Sequence, residues 1–401
     1  MAASAKVVVV SQHYPPDPST TAAIMAEISE HLAAERPVLV LSGTPGSATN
    51  DAVPNRPVVS EIRNRIPEKG ALARRALAEL AFTTRAFVTV LRRAQRDDVV
   101  LTVTAPFMLP YAMAFAAWLK SAKSALIMHD LYPDVLVMAG LIGQRSPVSA
   151  TIRGANALMF RMLDAVITIG RDTERLLLRY RGVTPAKIRF IPNWVTLVPA
   201  VRPVATDNPY RNNPARFVVG LSGNLGFTHD PLVVFEAARL LVNEPGIHFL
   251  LSGWGVGYER LKQLQSEARL ANVTLVDRVA DGELEKFLTA ADAWIIPYRE
   301  NVAGVSVPSR FYNLLAVGRP VILVSEPDAE AAMTVSENNL GWVVRPGMAD
   351  ELASAIRRAS VSADPSMGER AVVAAQAFTL DRAMTGYCAL VDELQRAGPS
   401  S

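Results

Sequence analysis

Val7-Val8-Val9-Val10 opens a series of short apolar runs that narrows the choice of fold more than any other feature of the chain. A run without polar alternation is what a strand buried inside a parallel sheet requires. Further runs stand at Val38–Leu41, Val99–Val103, Ala125–Met128, Ala165–Ile169 and Ile188–Ile191. Helical patterns fall between them, among them Ala22–Ala34 and the strongly charged Arg171–Arg181. Strand and helix in alternation give βαβ units, whose ligands sit in loops after the strands' C-terminal ends. Trp194–Arg216, with Pro199, Pro203, Pro209 and Pro214, breaks the pattern as a linker does. A second series then begins at Phe217–Leu221 and continues at Ile247–Leu251, Val273–Val276, Ala293–Ile296 and Val321–Val324. Its helices are expected at Pro231–Leu241, Tyr258–Leu270, Asp281–Ala290 and Pro308–Val317.

The expected architecture is α/β, with two doubly wound Rossmann-like domains facing across a cleft. Residues 1–198 form the first, 199–215 the linker and 216–379 the second. An amphipathic helix over 380–396 packs back on the first domain. Half of the 401 residues are hydrophobic, enough for two cores. The formal charge is only +3, and no nucleic-acid partner is expected. A single cysteine, Cys388, lies in an apolar run and suits a reducing cytoplasm. The chain enters its first strand at Lys6, so no signal peptide is expected. The five histidines, at 13, 31, 129, 229 and 248, do not have metal-ligand spacing, and no metal is expected. The loop after the first strand reads Pro-Asp-Pro-Ser-Thr-Thr, without the glycines of a dinucleotide site, and no cofactor is expected.

Two stretches bear on membranes. Val99–Leu119 carries no charge over 21 residues, long enough to span a bilayer. Thr104, Pro106 and Pro110 interrupt it, so strand, turn and apolar helix is the better parse. In Arg63–Arg96, Arg74, Arg75, Arg85, Arg92, Arg93 and Arg96 alternate with Leu77, Leu80, Phe82, Phe87 and Val90. That pattern fits a surface lying on anionic lipid, and equally a solvated helix face.

Ser306–Ser325 is the most informative stretch for chemistry. Pro308 and Ser309 open a helix, Gly318 ends it and Pro320–Val324 follows as a buried strand. Unpaired N–H groups, the hydroxyls of Ser306 and Ser309 and the cation Arg310 meet at the helix start, a ready site for phosphate. An ordinary capped helix before a strand is the competing reading.

The chain resembles the retaining family 4 glycosyltransferases of GT-B fold over nearly its whole length. The resemblance rests on Ser222-Gly223-Asn224-Leu225-Gly226, Ser252–Gly257, Ala291–Pro297 and Val307–Val321, in that order. In the first half, His129-Asp130-Leu131-Tyr132-Pro133 and Ile191-Pro192-Asn193-Trp194 are most similar to the branch that builds O-antigen and colanic-acid polysaccharides. There are departures. The family's two glutamates fall on Val305 and Asn313, its basic pair on the region of Phe227 and His229, and its first glycine pair near Ser19 and Thr20.

The resemblance implies an enzyme that moves a sugar with retention from a nucleotide-sugar, uridine being the commonest base. The acceptor would be a lipid-linked, polyprenyl pyrophosphate saccharide, at the cytoplasmic face of an anionic membrane. A departing pyrophosphate needs positive charge and N–H donors. Arg310, Gly223, Asn224, Gly226, Ser306 and Ser309 are the expected donor-binding set, with Asn313 on the ribose. His129, Asp130 and Glu300 are the expected catalytic group. Competing readings are a hydrogen-bonded loop histidine, a helix cap and a solvated loop carboxylate respectively. Arg171 is a further candidate for the phosphates, or a surface arginine. Two other functions stand beside this one: a non-catalytic partner subunit of GT-B shape, and a nucleotide-sugar epimerase or hydrolase.

Overall fold

The computed structural model describes residues 5–43, 53–64, 72–205, 207–211, 217–362 and 364–397. Residues 65–71 of the arginine-rich segment and 206 and 212–216 of the expected linker lie outside them. So does the side chain of Arg75.

The first sheet has seven strands, β1 Val7–Ser11, β2 Val38–Ser42, β3 Val58–Glu61, β4 Val99–Val103, β5 Lys123–Met128, β6 Ala165–Thr168 and β7 Ile188–Phe190. Their spatial order is β3-β2-β1-β4-β5-β6-β7, and every pair is parallel. The helices of this half are α1 Thr20–Ala33, α2 Leu72–Arg93, α3 Leu109–Lys120, α4 Asp134–Met138, α5 Pro147–Met162 and α6 Glu174–Leu177. The four valines of β1 divide by the two-residue period of a strand. Val7 and Val9 face a core that includes Met25 and Ile28 of α1. Val8 and Val10 face one that includes Phe82 of α2 and Met113 of α3. Burial on both faces is why the run is uninterrupted. The Arg171–Arg181 stretch forms only a turn at Arg171–Thr173 and the four-residue α6, not one long helix.

The second sheet has six strands, β8 Phe217–Asn224, β9 Ile247–Trp254, β10 Val273–Val276, β11 Ala293–Pro297, β12 Val321–Val324 and β13 Gly341–Val344. The order β10-β9-β8-β11-β12-β13 is again all parallel. Its helices are α7 Pro231–Leu240, α8 Val256–Ala268, α9 Leu284–Leu288, α10 Ser309–Ala316, α11 Glu330–Glu337, α12 Ala349–Ser362 and α13 Ser366–Ala375. The final helix, α14 Leu380–Arg396, returns to the first sheet. Its Ala383, Met384, Tyr387, Leu390, Val391 and Leu394 join Val7, Val9 and Val38 in one core. At about 1.5–3 kcal/mol for each fully buried large side chain, that apolar stripe is enough to fix the helix there.

The two sheets meet through specific polar contacts. The Asp172 carboxylate accepts from the N–H of Gly304 (2.7 Å) and of Glu330 (3.0 Å). The N–H of Arg171 donates to Glu330 (2.6 Å), and its guanidinium pairs with Glu330 and Glu337. Arg171 is therefore committed to the seam between the domains, which corrects the expectation that it reaches a phosphate. No helix among the described residues is long and apolar enough to cross a membrane.

Candidate functional site

In an open parallel sheet the crevice forms where the strand order reverses, between β1 and β4 in one sheet and β8 and β11 in the other. The two crevices face each other across a cavity of about 520 Å³. Pro18–Thr21 at the start of α1 and Asp130 after β5 line it from the first domain. Ser222–Gly226, Thr228, His229, Trp254, Arg278, Ile295–Tyr298 and Ser306–Arg310 line it from the second.

Gly223, Asn224 and Gly226 belong to this lining, as expected of donor-binding residues. They are not all in a loop, because β8 runs on to Asn224 and β9 to Trp254 in continuous register. Glycine makes this possible. A Cβ on Gly253 would stand 2.4 Å from the Gly223 carbonyl oxygen. Gly255, at φ +94°, has its Cβ position 2.6 Å from the Asn224 Oδ1. The backbones then lock, with Leu225 N–H donating to Trp254 O (2.8 Å) and Gly257 N–H to Leu225 O (2.9 Å).

The start of α10 differs from the starts of α1 and α7. Ser19 caps α1 through Ala22 N–H (3.2 Å), and Asp230 caps α7 through Leu232 N–H (3.0 Å). The cap position of α10 is Pro308, which has no side chain to offer, and Ser309 is already helical. Ser309 is thus not the cap read from the sequence. Phe311 N–H donates to Pro308 O (3.0 Å), and the N–H groups of Ser309 and Arg310 are left to whatever enters the cavity. Arg310 stands in that first turn, half-buried, with no hydrogen bond or ion pair among the described residues. Burial lowers its pKa below the ordinary arginine value; Asp281 opposes the shift and Arg278 adds to it. Arg278 is the residue that sequence reading missed. Its guanidinium carbon lies 4.6 Å from the centre of the Trp254 ring, in the same cavity. Its position two residues beyond β10, at the C-terminal edge of a parallel sheet, was the available signal.

Asn313 is not in the cavity. It is buried, its Oδ1 accepts from Thr196 N–H and its Nδ2 donates to the Thr196 hydroxyl, both at 2.8 Å. Both amide groups are spent pinning the segment between the domains, which corrects its assignment to the ribose. The expected result for Asn313→Ala is a stability loss of about 1 kcal/mol in urea unfolding. Asn313→Glu loses more, because it buries a charge that cannot donate to Thr196. Calorimetric titration with uridine diphosphate should give the same affinity for both variants as for the parent.

Glu300 is also corrected. It is exposed and lines a different cavity, with Arg299, Asn301, Arg175 and Arg179, so it does not join His129 and Asp130. Asp130 does line the central cavity, and it is the only carboxylate to do so among the described residues. The cap position of α4 is Pro133, so Asp130 is not a helix cap. Its N–H donates to the Thr104 hydroxyl (3.3 Å), and burial raises its pKa above the ordinary aspartate value.

His129 sits behind Asp130, in a crevice lined by Gly304, Val305, Ser306 and Val307 of the second domain. Its Nε2 is enclosed without a partner, and burial pulls the imidazole pKa down to about 4. The ring is neutral at pH 7. With an unfolded value near 6.5, the unfolded chain binds the extra proton between pH 6.5 and 4, so stability falls on acidification through that window. The urea midpoint of the parent should drop between pH 6.5 and 4, and His129→Gln should flatten that slope.

Comparison with known proteins follows the same division of the chain. Residues 19–194 match the family described as glycosyl transferase 4-like domain. Residues 216–360 match the family described as glycosyl transferases group 1. The probable glycosyltransferase WbjE of Pseudomonas aeruginosa is 28% identical over 281 residues, 69% of this chain and 70% of that protein. The putative colanic acid biosynthesis glycosyl transferase WcaI of Escherichia coli K12 is 24% identical over 304 residues, 73% of this chain and 74% of that protein. The structure of Anabaena Alr3699/HepE in complex with UDP and glucose superposes with a TM-score of 0.66 at 16% identity, covering 97% of this chain and 100% of that one. The fold is GT-B.

Proposed function

For a glycosyltransferase built of a 4-like domain followed by a group 1 domain, we propose transfer of a sugar, with retention, from a uridine diphosphate sugar to a lipid-linked saccharide in cell-surface polysaccharide synthesis. The observation that carries this reading is Arg310, a half-buried cation without a carboxylate partner, at the uncapped start of α10 and beside Arg278. A buried charge without a partner is costly, and a dianionic diphosphate removes the cost. The HepE structure that holds UDP and glucose on the same fold supports the choice of donor. The name of WcaI, a putative colanic acid biosynthesis glycosyl transferase, supports the pathway class.

In this reading Arg310, Arg278 and the free N–H groups of α10 hold the diphosphate, flanked by Ser306, Ser309, Gly223, Asn224 and Gly226. The sugar's anomeric carbon then points toward Asp130. As the C–O bond to the diphosphate lengthens, negative charge grows on the phosphate oxygen between the two arginines. The acceptor hydroxyl attacks from that same face and passes its proton to the departing oxygen, which preserves the anomeric configuration. Asp130 holds the hydroxyl and offsets positive charge on the sugar ring. Neutral His129 keeps Asp130 and the 304–307 loop in register. The deciding experiment is isothermal titration with UDP and UDP-sugars, followed by a turnover assay on a prenyl-linked acceptor. Absence of UDP binding would remove the reading.

The membrane face is the one covered by α2, α3 and α5. Leu77, Leu80, Phe115, Trp118 and Leu158 are exposed there, and Phe115 stacks between Phe87 and Trp118 at ring distances of 6.0 and 5.9 Å. Arg74, Arg92 and Arg93 are exposed on α2, while Arg85 donates to the Arg63 carbonyl. Apolar rings rimmed by arginine suit peripheral binding to the cytoplasmic leaflet. The paired change Arg92→Glu and Arg93→Glu is expected to weaken sedimentation with anionic vesicles by at least about 2 kcal/mol, each cation near the surface being worth about 1. Trp118→Ser should weaken it further and independently of salt.

A further inference from the structure

A second basic cavity lies in the first domain, outside the cleft described above. It encloses about 540 Å³ beside α5 and the end of α6. Arg145, Arg153, Arg179 and Arg181 line it, with Asp134 as the one carboxylate in the lining. Arg153 spends one N–H on the Gln144 carbonyl (2.8 Å). No ion pair holds any of the four among the described residues. Burial raises the pKa of Asp134, and Arg153 and Arg179 oppose that shift, so one carboxylate faces four guanidinium groups. The surplus of guanidinium is left over for a polyanion.

We propose that this basin binds the diphosphate group of the lipid-linked acceptor. The inference rests on the acceptor reading above and names the part of the acceptor that the protein grips. Three features of the fold support it. Guanidinium forks pair with phosphate oxygens two at a time, and four of them outmatch a monoanion. The basin adjoins the membrane face, because α5 lines it through Arg153, Gly154 and Ala157 and exposes Leu158 beside Gly154 to carry a prenyl chain. It also joins the reaction centre, because the chain runs from Asp130 in the cleft to Asp134 in the basin. Four residues span at most about 14 Å, so a short saccharide on the diphosphate reaches from one to the other.

The test uses the full chain with its donor cleft filled by saturating UDP. Farnesyl diphosphate, farnesyl phosphate and inorganic pyrophosphate are titrated in turn into the parent, Arg153→Ala, Arg179→Ala and Arg181→Ala. The parent should bind farnesyl diphosphate more tightly than either other probe. Each substitution should weaken that binding about ten-fold, the usual effect of losing one hydrogen bond to a charged group. UDP affinity and the melting temperature should not move. Equal affinity for the monophosphate overturns the diphosphate assignment. Tighter binding of inorganic pyrophosphate overturns the lipid-borne source. Parent-like affinity in variants that melt normally overturns the site itself. UDP titration of the parent alone reads the donor cleft, so failure there counts against the transferase reading and not against the basin. Arg181 is exposed and outside any helix, so its variant folds even where a change at Arg153 disturbs α5.

Discussion

Arg310→Ala is expected to weaken UDP binding by about 1.5–3 kcal/mol, a loss of roughly ten- to 150-fold. Turnover of the UDP-sugar should fall further, by about 100- to 1000-fold. The same cation meets more charge as the phosphate departs than it meets in the ground state. The asymmetry between binding and turnover is the informative part. A residue that only held the nucleotide would raise KM and leave kcat unchanged. Arg310→Lys should recover part of the affinity, since the charge remains while the fork is lost. Stability should hold or rise, because the substitution removes a desolvated cation that no ion pair holds and that Asp281 compensates only in part. Calorimetry, steady-state rates and urea unfolding on one preparation separate these effects. Unchanged UDP affinity in Arg310→Ala would take α10 out of the donor site.

Asp130→Asn is expected to do the reverse, leaving UDP affinity within two-fold of the parent while turnover falls by about 100- to 10,000-fold. Asp130 lines the cleft on the side of the first domain, across from Arg310 and Arg278. It is the one carboxylate lining the cleft among the described residues, so no neighbour takes over its charge. Asparagine keeps the shape and loses the charge. A turnover rate equal to the parent's would show that Asp130 neither orients the acceptor nor stabilises the sugar cation. Weakened UDP binding instead would mean that Asp130 shapes the donor pocket.

Much of the cleft lining was legible in the sequence. Gly223, Asn224, Gly226, Ser306, Ser309 and Arg310 all line one cleft, since each lies at a strand end or helix start that short-range patterns mark. Asn313 was misassigned by the same patterns. Three residues along a helix leave two side chains only about 60° apart, which made Arg310 and Asn313 look like partners. Arg310 reaches past the open helix end, whereas Asn313, one turn deeper, is covered by Thr196, 117 positions away in the chain. Glu300 stands only five residues before Val305, where a family glutamate falls, but loop conformation does not follow from spacing. The seven-strand sheet includes β3 and the six-strand sheet β13, neither of which was foreseen. Both are partly exposed edge strands, and β3 ends in Ser60 and Glu61 while β13 opens on Gly341, so neither reads as an unbroken apolar run.

The apolar runs by themselves determined two parallel sheets, because an uninterrupted valine run is stable only where both faces of a strand are covered. The proline-rich break determined where one series stops and the next begins. What the patterns could not carry was every relation between groups far apart in the chain. The clasp of Asp172 on Gly304 and Glu330, the enclosure of His129 by residues 304–307, and the pairing of Arg278 with Arg310 in one cavity are of this kind. So is the gathering of Arg145, Arg153, Arg179 and Arg181 into a single basin. Local patterns reflect the backbone's own hydrogen bonds and the burial of one face, which act over a few residues. Where two such units dock is decided by the fit of side chains that meet only after both have formed, and the candidate site lies at that meeting.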